Sequence, residues 1–198
     1  MKKAKWRTNL AGLWLAAAVP GAQAWEAAER IDTYAVSGSS GIELYRSIGE
    51  HGPKAGPGRA IAFTTYELLW SRDYRPEAGG CTLKTARPRL TIIYRLPKPS
   101  GKLAAPLDRL WARFIAGIEK HERVHGEIIL EATRRIEAAT VGLRVEGDAG
   151  CKAIRAEVQK HVAAAAADMR AASRDFDKRE MSDGGNVHRL VLQLVNEE

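Results

Sequence analysis

The chain is predicted to fold as an α+β domain, with a small, mostly antiparallel sheet packed on two long helices. Three observations predict it. β-prone segments fill the first half, two amphipathic helical segments fill most of the second, and the prolines and glycines fall mainly between them. Strands that precede helices, without alternating with them, favour this class over a parallel βα architecture. A length of 198 residues suits one domain with a real core.

Each element has a local reason. Asp32-Thr33-Tyr34-Ala35-Val36 is a short β-prone run, ended by Ser37-Gly38-Ser39-Ser40-Gly41. A short helix is expected over Ile42 to Ile48, then a loop through Pro53 and Pro57. Ala60 to Arg72 reads as a strand on Ile61, Phe63, Thr65, Leu68 and Trp70. After a turn region at Asp73 to Gly80, Thr82 to Leu96 reads as its antiparallel partner, stopped by Pro97 and Pro99. One long helix is predicted from Leu107 to Val141. Gly142, Gly147 and Gly150 interrupt, and a second helix runs from Cys151 to Lys178. Asp183-Gly184-Gly185-Asn186 is a turn, and Val187 to Val195 reads as a last strand of the sheet.

Residues 1–24 have the form of a secretory signal peptide. Lys2, Lys3, Lys5 and Arg7 precede an apolar run from Leu10 to Val19, then Pro20-Gly21 and the small-x-small site Ala22-Gln23-Ala24. The domain would be residues 25–198, exported to the periplasm or secreted. The formal charge of +7 is largely that leader's, since without its four cations the chain carries +3. That balance calls for no nucleic-acid partner. No later segment is apolar enough to span a bilayer. The two cysteines, Cys81 and Cys151, suggest one disulfide in an exported chain, with two buried thiols as the other reading.

Chemistry concentrates in His121-Glu122-Arg123-Val124-His125. Histidines at i and i+4 share one helix face and can reach a single Zn²⁺, and the glutamate beside them suits a general base for a metal-activated water. The apolar stripe of this helix is Trp111, Phe114, Ile115 and Ile118 before the motif and Ile129, Ala132 and Ile136 after it. His121, Glu122 and His125 fall on that stripe, whereas Lys120 and Arg123 fall off it. Three titratable groups on a buried face are costly unless something pairs them, and a metal does so. This is a zincin-like metal helix. Glu131, at a spacing some zincins use for a third ligand, falls off the stripe and is expected in solvent. The second helix offers His161 and Asp168 beside its stripe of Ile154, Val158, Ala165, Met169, Ala172 and Phe176. Asp177, Asp183 and His188 are further candidates near its end. Tyr66 and Tyr94 are expected as strand residues.

The order of features resembles the domain of unknown function 922 family, bacterial proteins described as predicted secreted zinc-dependent proteases. The resemblance rests on Tyr34-Ala35-Val36-Ser37-Gly38, the Thr64-Thr65-Tyr66 to Trp70 strand, Cys81, Leu96-Pro97, the Trp111 and Phe114 pair, His121 to Gly126, and Cys151. Val124 stands where that family usually has glycine. The last helix ends in Phe176-Asp177, like the family's Tyr-Asp pair. A histidine motif expected beyond it is replaced by Glu180-Met181-Ser182-Asp183-Gly184. The resemblance implies a zinc-dependent metallopeptidase with one Zn²⁺ per chain, a peptide or protein substrate, and Glu122 as base. His121 and His125 would be ligands, and Asp183 the third ligand in place of the absent histidine, with His161 as the alternative. The contrasting expectation is a non-catalytic exported metal-binding or interaction protein. A weaker one is hydrolysis of a non-peptide amide.

Overall fold

The computed structural model describes residues 25–56 and 58–197. The expected signal peptide, residues 1–24, lies outside them. The elements are β1 (Ala28–Val36), α1 (Gly41–His51), β2 (Lys54–Ala55), β3 (Gly58–Arg59), β4 (Phe63–Glu77), β5 (Gly80–Pro99), α2 (Leu107–Thr140), β6 (Arg144–Glu146), α3 (Ala153–Met181) and α4 (Asn186–Val195). The α+β class and the two long helices stand as predicted.

The sheet is mixed rather than mostly antiparallel. β5 is its central strand, with β4 antiparallel on one side, β1 parallel on the other, and β6 on the first residues of β5. Pairing with β1 carries β5 past Leu96 to Pro99. The expected turn at Asp73 to Gly80 is shorter. The strands run on to Glu77 and from Gly80, with an irregularity at Asp73/Tyr74, and Ala78 and Gly79 make the turn with positive φ of 44° and 81°.

The expected last strand is a helix. In Val187-His188-Arg189-Leu190-Val191-Leu192-Gln193-Leu194-Val195 the apolar residues satisfy both periods. The packed set Val187, Leu190, Val191 and Leu194 is the i, i+3, i+4, i+7 stripe of α4. Burial against neighbouring helices overrides the β-propensity of the valines. Gly41 permits the contact with α1, because a Cβ there would meet the Leu194 carbonyl.

The main core lies between the inner sheet face and α2. Leu90, Ile92, Tyr94 and Leu96 meet Trp111, Phe114, Ile118 and Ile129. A second cluster of Cys81, Leu83, Ala86, Cys151, Ile154 and Val158 packs the start of α3 on β5. Cys81 and Cys151 form a disulfide there across 70 residues. Asp148 caps α3, accepting from the backbone N–H of Lys152 at 2.8 Å and Ile154 at 2.9 Å. No helix among the described residues is long and apolar enough to cross a membrane.

Candidate metal centre

α2 presents His121 and Glu122 inward, both buried, and His125 partly so, while Lys120, Arg123 and Glu131 are exposed. The helical wheel read from the sequence therefore holds at this turn. Arg123 fixes the motif from outside. It donates to Glu29 of β1 at 2.8 Å and to Glu119 at 2.7 Å, with its guanidinium over the Tyr94 ring. Gly126 is where α2 meets β5, since a side chain there would collide with the Tyr94 hydroxyl. Tyr94 is buried and donates to Glu29 at 2.9 Å, and burial first, then that bond, push its hydroxyl up to about 12.

The third group comes from α3. Asp177 Oδ1 lies 3.2 Å from His121 Nε2 and 2.9 Å from His125 Nε2, and the two Nε2 atoms are 3.2 Å apart. Four ligands at ~2.0–2.1 Å around zinc are about 3.3 Å from one another, so this spacing fits a tetrahedral cation. Among the described residues this His-His-Asp group could hold a metal ion. The Phe176 ring stacks on His121, centroids 4.7 Å apart, and meets His125 edge-on at 5.4 Å. Burial alone would raise the Asp177 carboxyl, but hydrogen bonds with the two histidines outweigh it and hold the group well below the usual carboxylate range.

The third member is thus Asp177, not Asp183 or His161. Asp183 is fully exposed and comes no closer than 4.0 Å to His188. His161 sits 16 residues before Asp177 on α3, roughly 24 Å along the helix. His188 Nδ1 accepts from the Gly184 N–H at 3.1 Å, and Asp168 pairs with Arg135 at 3.5 Å. None of these reaches the cluster.

Thr64, which no sequence motif marks as a site residue, completes the arrangement. From β4 its hydroxyl lies 2.6 Å from Glu122 Oε2 and 3.1 Å from the Glu122 carbonyl. Burial first raises the Glu122 carboxyl, against the lowering effect of Thr64 and the histidines. A carboxylate raised toward neutrality is suited to exchange protons. Glu180 is a second residue the sequence left unassigned. Its Oε2 is 3.9 Å from His121 Nδ1, a buried atom without a hydrogen-bond partner. Asn186 holds the other oxygen of Glu180 at 2.9 Å. The cluster opens into a cleft of about 700 Å³ between β4 and α3, lined also by Tyr66, Met169, Arg170 and Arg174.

A family model described as "bacterial protein of unknown function (DUF922)" matches residues 31–185. No curated protein and no solved structure matches the chain.

Proposed function

The chain belongs to that bacterial family, DUF922, and from this premise we propose that it is an exported zinc-dependent metallopeptidase. The observation that carries the reading is the junction of α2 and α3. It sets His121, His125 and Asp177 within one cation's reach and leaves Glu122 buried beside them at the wall of an open cleft.

His121, His125 and Asp177 are the groups that would hold zinc. When bound, the metal supplies Lewis-acid polarisation of a carbonyl and a water acidic enough to attack at neutral pH. Glu122 takes the proton released by the attacking water and returns it to the leaving nitrogen. Its raised proton affinity suits both steps. Thr64 orients the carboxylate by holding Oε2, which leaves Oε1 for the proton. Phe176 fixes the plane of the His121 ring. β4 is a sheet edge beside the cleft, so a substrate peptide can pair with it in extended form and present its carbonyl to the site. Export is supported by the disulfide, which persists in oxidising compartments.

The test is zinc content and turnover together. The purified chain is expected to carry about one zinc, lost in the His121→Ala, His125→Ala double variant. Glu122→Gln is expected to keep zinc and lose peptide hydrolysis by about 10²–10⁴-fold. Zinc at the double variant's level, even after reconstitution, would overturn the reading. Zinc binding without Glu122-dependent hydrolysis would leave a metal-binding protein without turnover.

A further inference from the structure

We infer that the far end of β4 carries a second binding site, one that takes a carboxylate of an acidic polypeptide segment. Trp70, Arg72 and Tyr74 of β4 and Arg155 and Gln159 of α3 enclose a pocket of about 350 Å³. Its two guanidiniums are each laid on an aromatic ring. Arg72 sits 5.0 Å from the Trp70 centroid, and Arg155 sits 4.2 Å from that of Tyr74. Contact with a ring face holds each guanidinium in place, and its terminal N–H groups are donors suited to a planar, bidentate acceptor, which a carboxylate is.

The protein supplies no such acceptor. Arg72 Nε is buried without a hydrogen-bond partner. Asp73 is committed to Arg75 at 2.9 Å. Both oxygens of Asp148 cap the α3 backbone at 2.8 and 2.9 Å. Among the described residues neither Arg72 nor Arg155 is within ion-pair distance of a carboxylate, Asp148 acting on Arg155 only from farther off, and Gln159 is neutral. This is a preset cationic pocket, unlike the exposed arginines that pair with near neighbours, such as Arg30 with Asp32 and Arg144 with Glu146.

β4 decides the kind of ligand. It is an edge strand over its whole length, with Thr64 and the metal cluster near one end and the arginine pocket near the other. An extended chain lying along it passes both. The eight residue steps from Thr64 to Arg72 span about 26 Å. Arg170 and Arg174 of α3 line the cleft at the metal end, so cations face the route there too. This choice of a polypeptide rests on the metallopeptidase reading, whereas the pocket's demand for a carboxylate does not.

The experiment uses the Glu122→Gln chain, which does not turn over, and two fluorescein-labelled peptides of about twelve extended residues. They are identical except for a glutamate pair or a glutamine pair at one end. Anisotropy titrations are expected to show the glutamate peptide binding about tenfold tighter. Arg72→Gln with Arg155→Gln is expected to erase that difference while zinc content and thermal melting stay unchanged. Should the double variant fold poorly, Gln159→Glu supplies an internal carboxylate and is expected to erase it as well. Equal affinities in the parent chain, or a preference that survives in a folded variant, would overturn the inference. The readout is binding, so a failed metallopeptidase reading shows separately, in zinc content and turnover.

Discussion

Asp177 on α3 sets one carboxylate oxygen 2.9 Å from Nε2 of His125 on α2, and the same oxygen lies 3.2 Å from His121. This contact makes Asp177 the third member of the group that could hold a metal ion. Asp177→Asn is expected to weaken zinc binding by more than about a hundredfold, beyond the range for residues that only support a ligand. Asp183→Asn is expected to leave it unchanged. Competition against a chromogenic chelator reads both, and the opposite order would restore the ligand expected from sequence.

Glu180 lies 3.9 Å from the orphaned Nδ1 of His121. Drawn closer, it would be the acceptor that fixes the imidazole tautomer, leaving Nε2 to face a bound metal. Glu180→Ala is expected to lower metal affinity by about 10–100-fold without loss of fold. An unchanged affinity, with an unchanged circular dichroism spectrum, would remove Glu180 from the site.

Gly126 closes the packing of α2 on Tyr94. Gly126→Ala forces the helix off the strand and is expected to destabilise the chain by about 1–3 kcal/mol. Adding Tyr94→Phe removes the colliding oxygen and is expected to recover part of that loss. Denaturant unfolding of the single and double variants measures the coupling.

The disulfide closes a 70-residue loop. Cys81→Ser with Cys151→Ser is expected to lower stability by about 4 kcal/mol. Reducing agent should shift the unfolding midpoint of the parent chain to the same degree and leave that of the variant in place.

Asp148 sets an acid limit. Backbone N–H donation, foremost from Ile154, holds its carboxyl below the ordinary 3.8. A folded-state value below the unfolded one adds stability at pH above 3.8, lost as pH falls through the folded-state value. The melting temperature of Asp148→Asn is therefore expected to lie below the parent's at neutral pH and to converge with it in acid. A gap independent of pH would mean that the charge is not what stabilises the cap.

Much of this was legible because helical periodicity and metal spacing are local. The stripe from Trp111 to Ile136 placed His121, Glu122 and His125 on the buried face, and Cys81 and Cys151 form the one disulfide that an even cysteine count suggests. What failed depended on partners distant in sequence. α4 has apolar residues at both periods, and only its packing on neighbouring helices selects the helix. The parallel pairing of β1 with β5 spans some 60 residues, beyond any local signal. Asp177 and Asp183 are equally plausible carboxylates in a string. α3 runs as a helix through Asp177 to Met181, with Asp177 and Glu180 one turn apart and both near His121, while Asp183 falls beyond its end. Phe176 beside Asp177 was the available clue, since that pair matched the family pattern where the residues after it did not.

Two long-range closures among the described residues are interleaved. Cys81 joins Cys151, and His125 meets Asp177, so each closure begins or ends inside the span of the other. Residues 125–151, the second half of α2 and the crossover to α3, belong to both loops. The arrangement is that of a lock stitch rather than two separate staples: undoing either one leaves this shared stretch secured by the other, and undoing both releases two of the ties on α3, which carries Asp177, one of the three members of the His-His-Asp group.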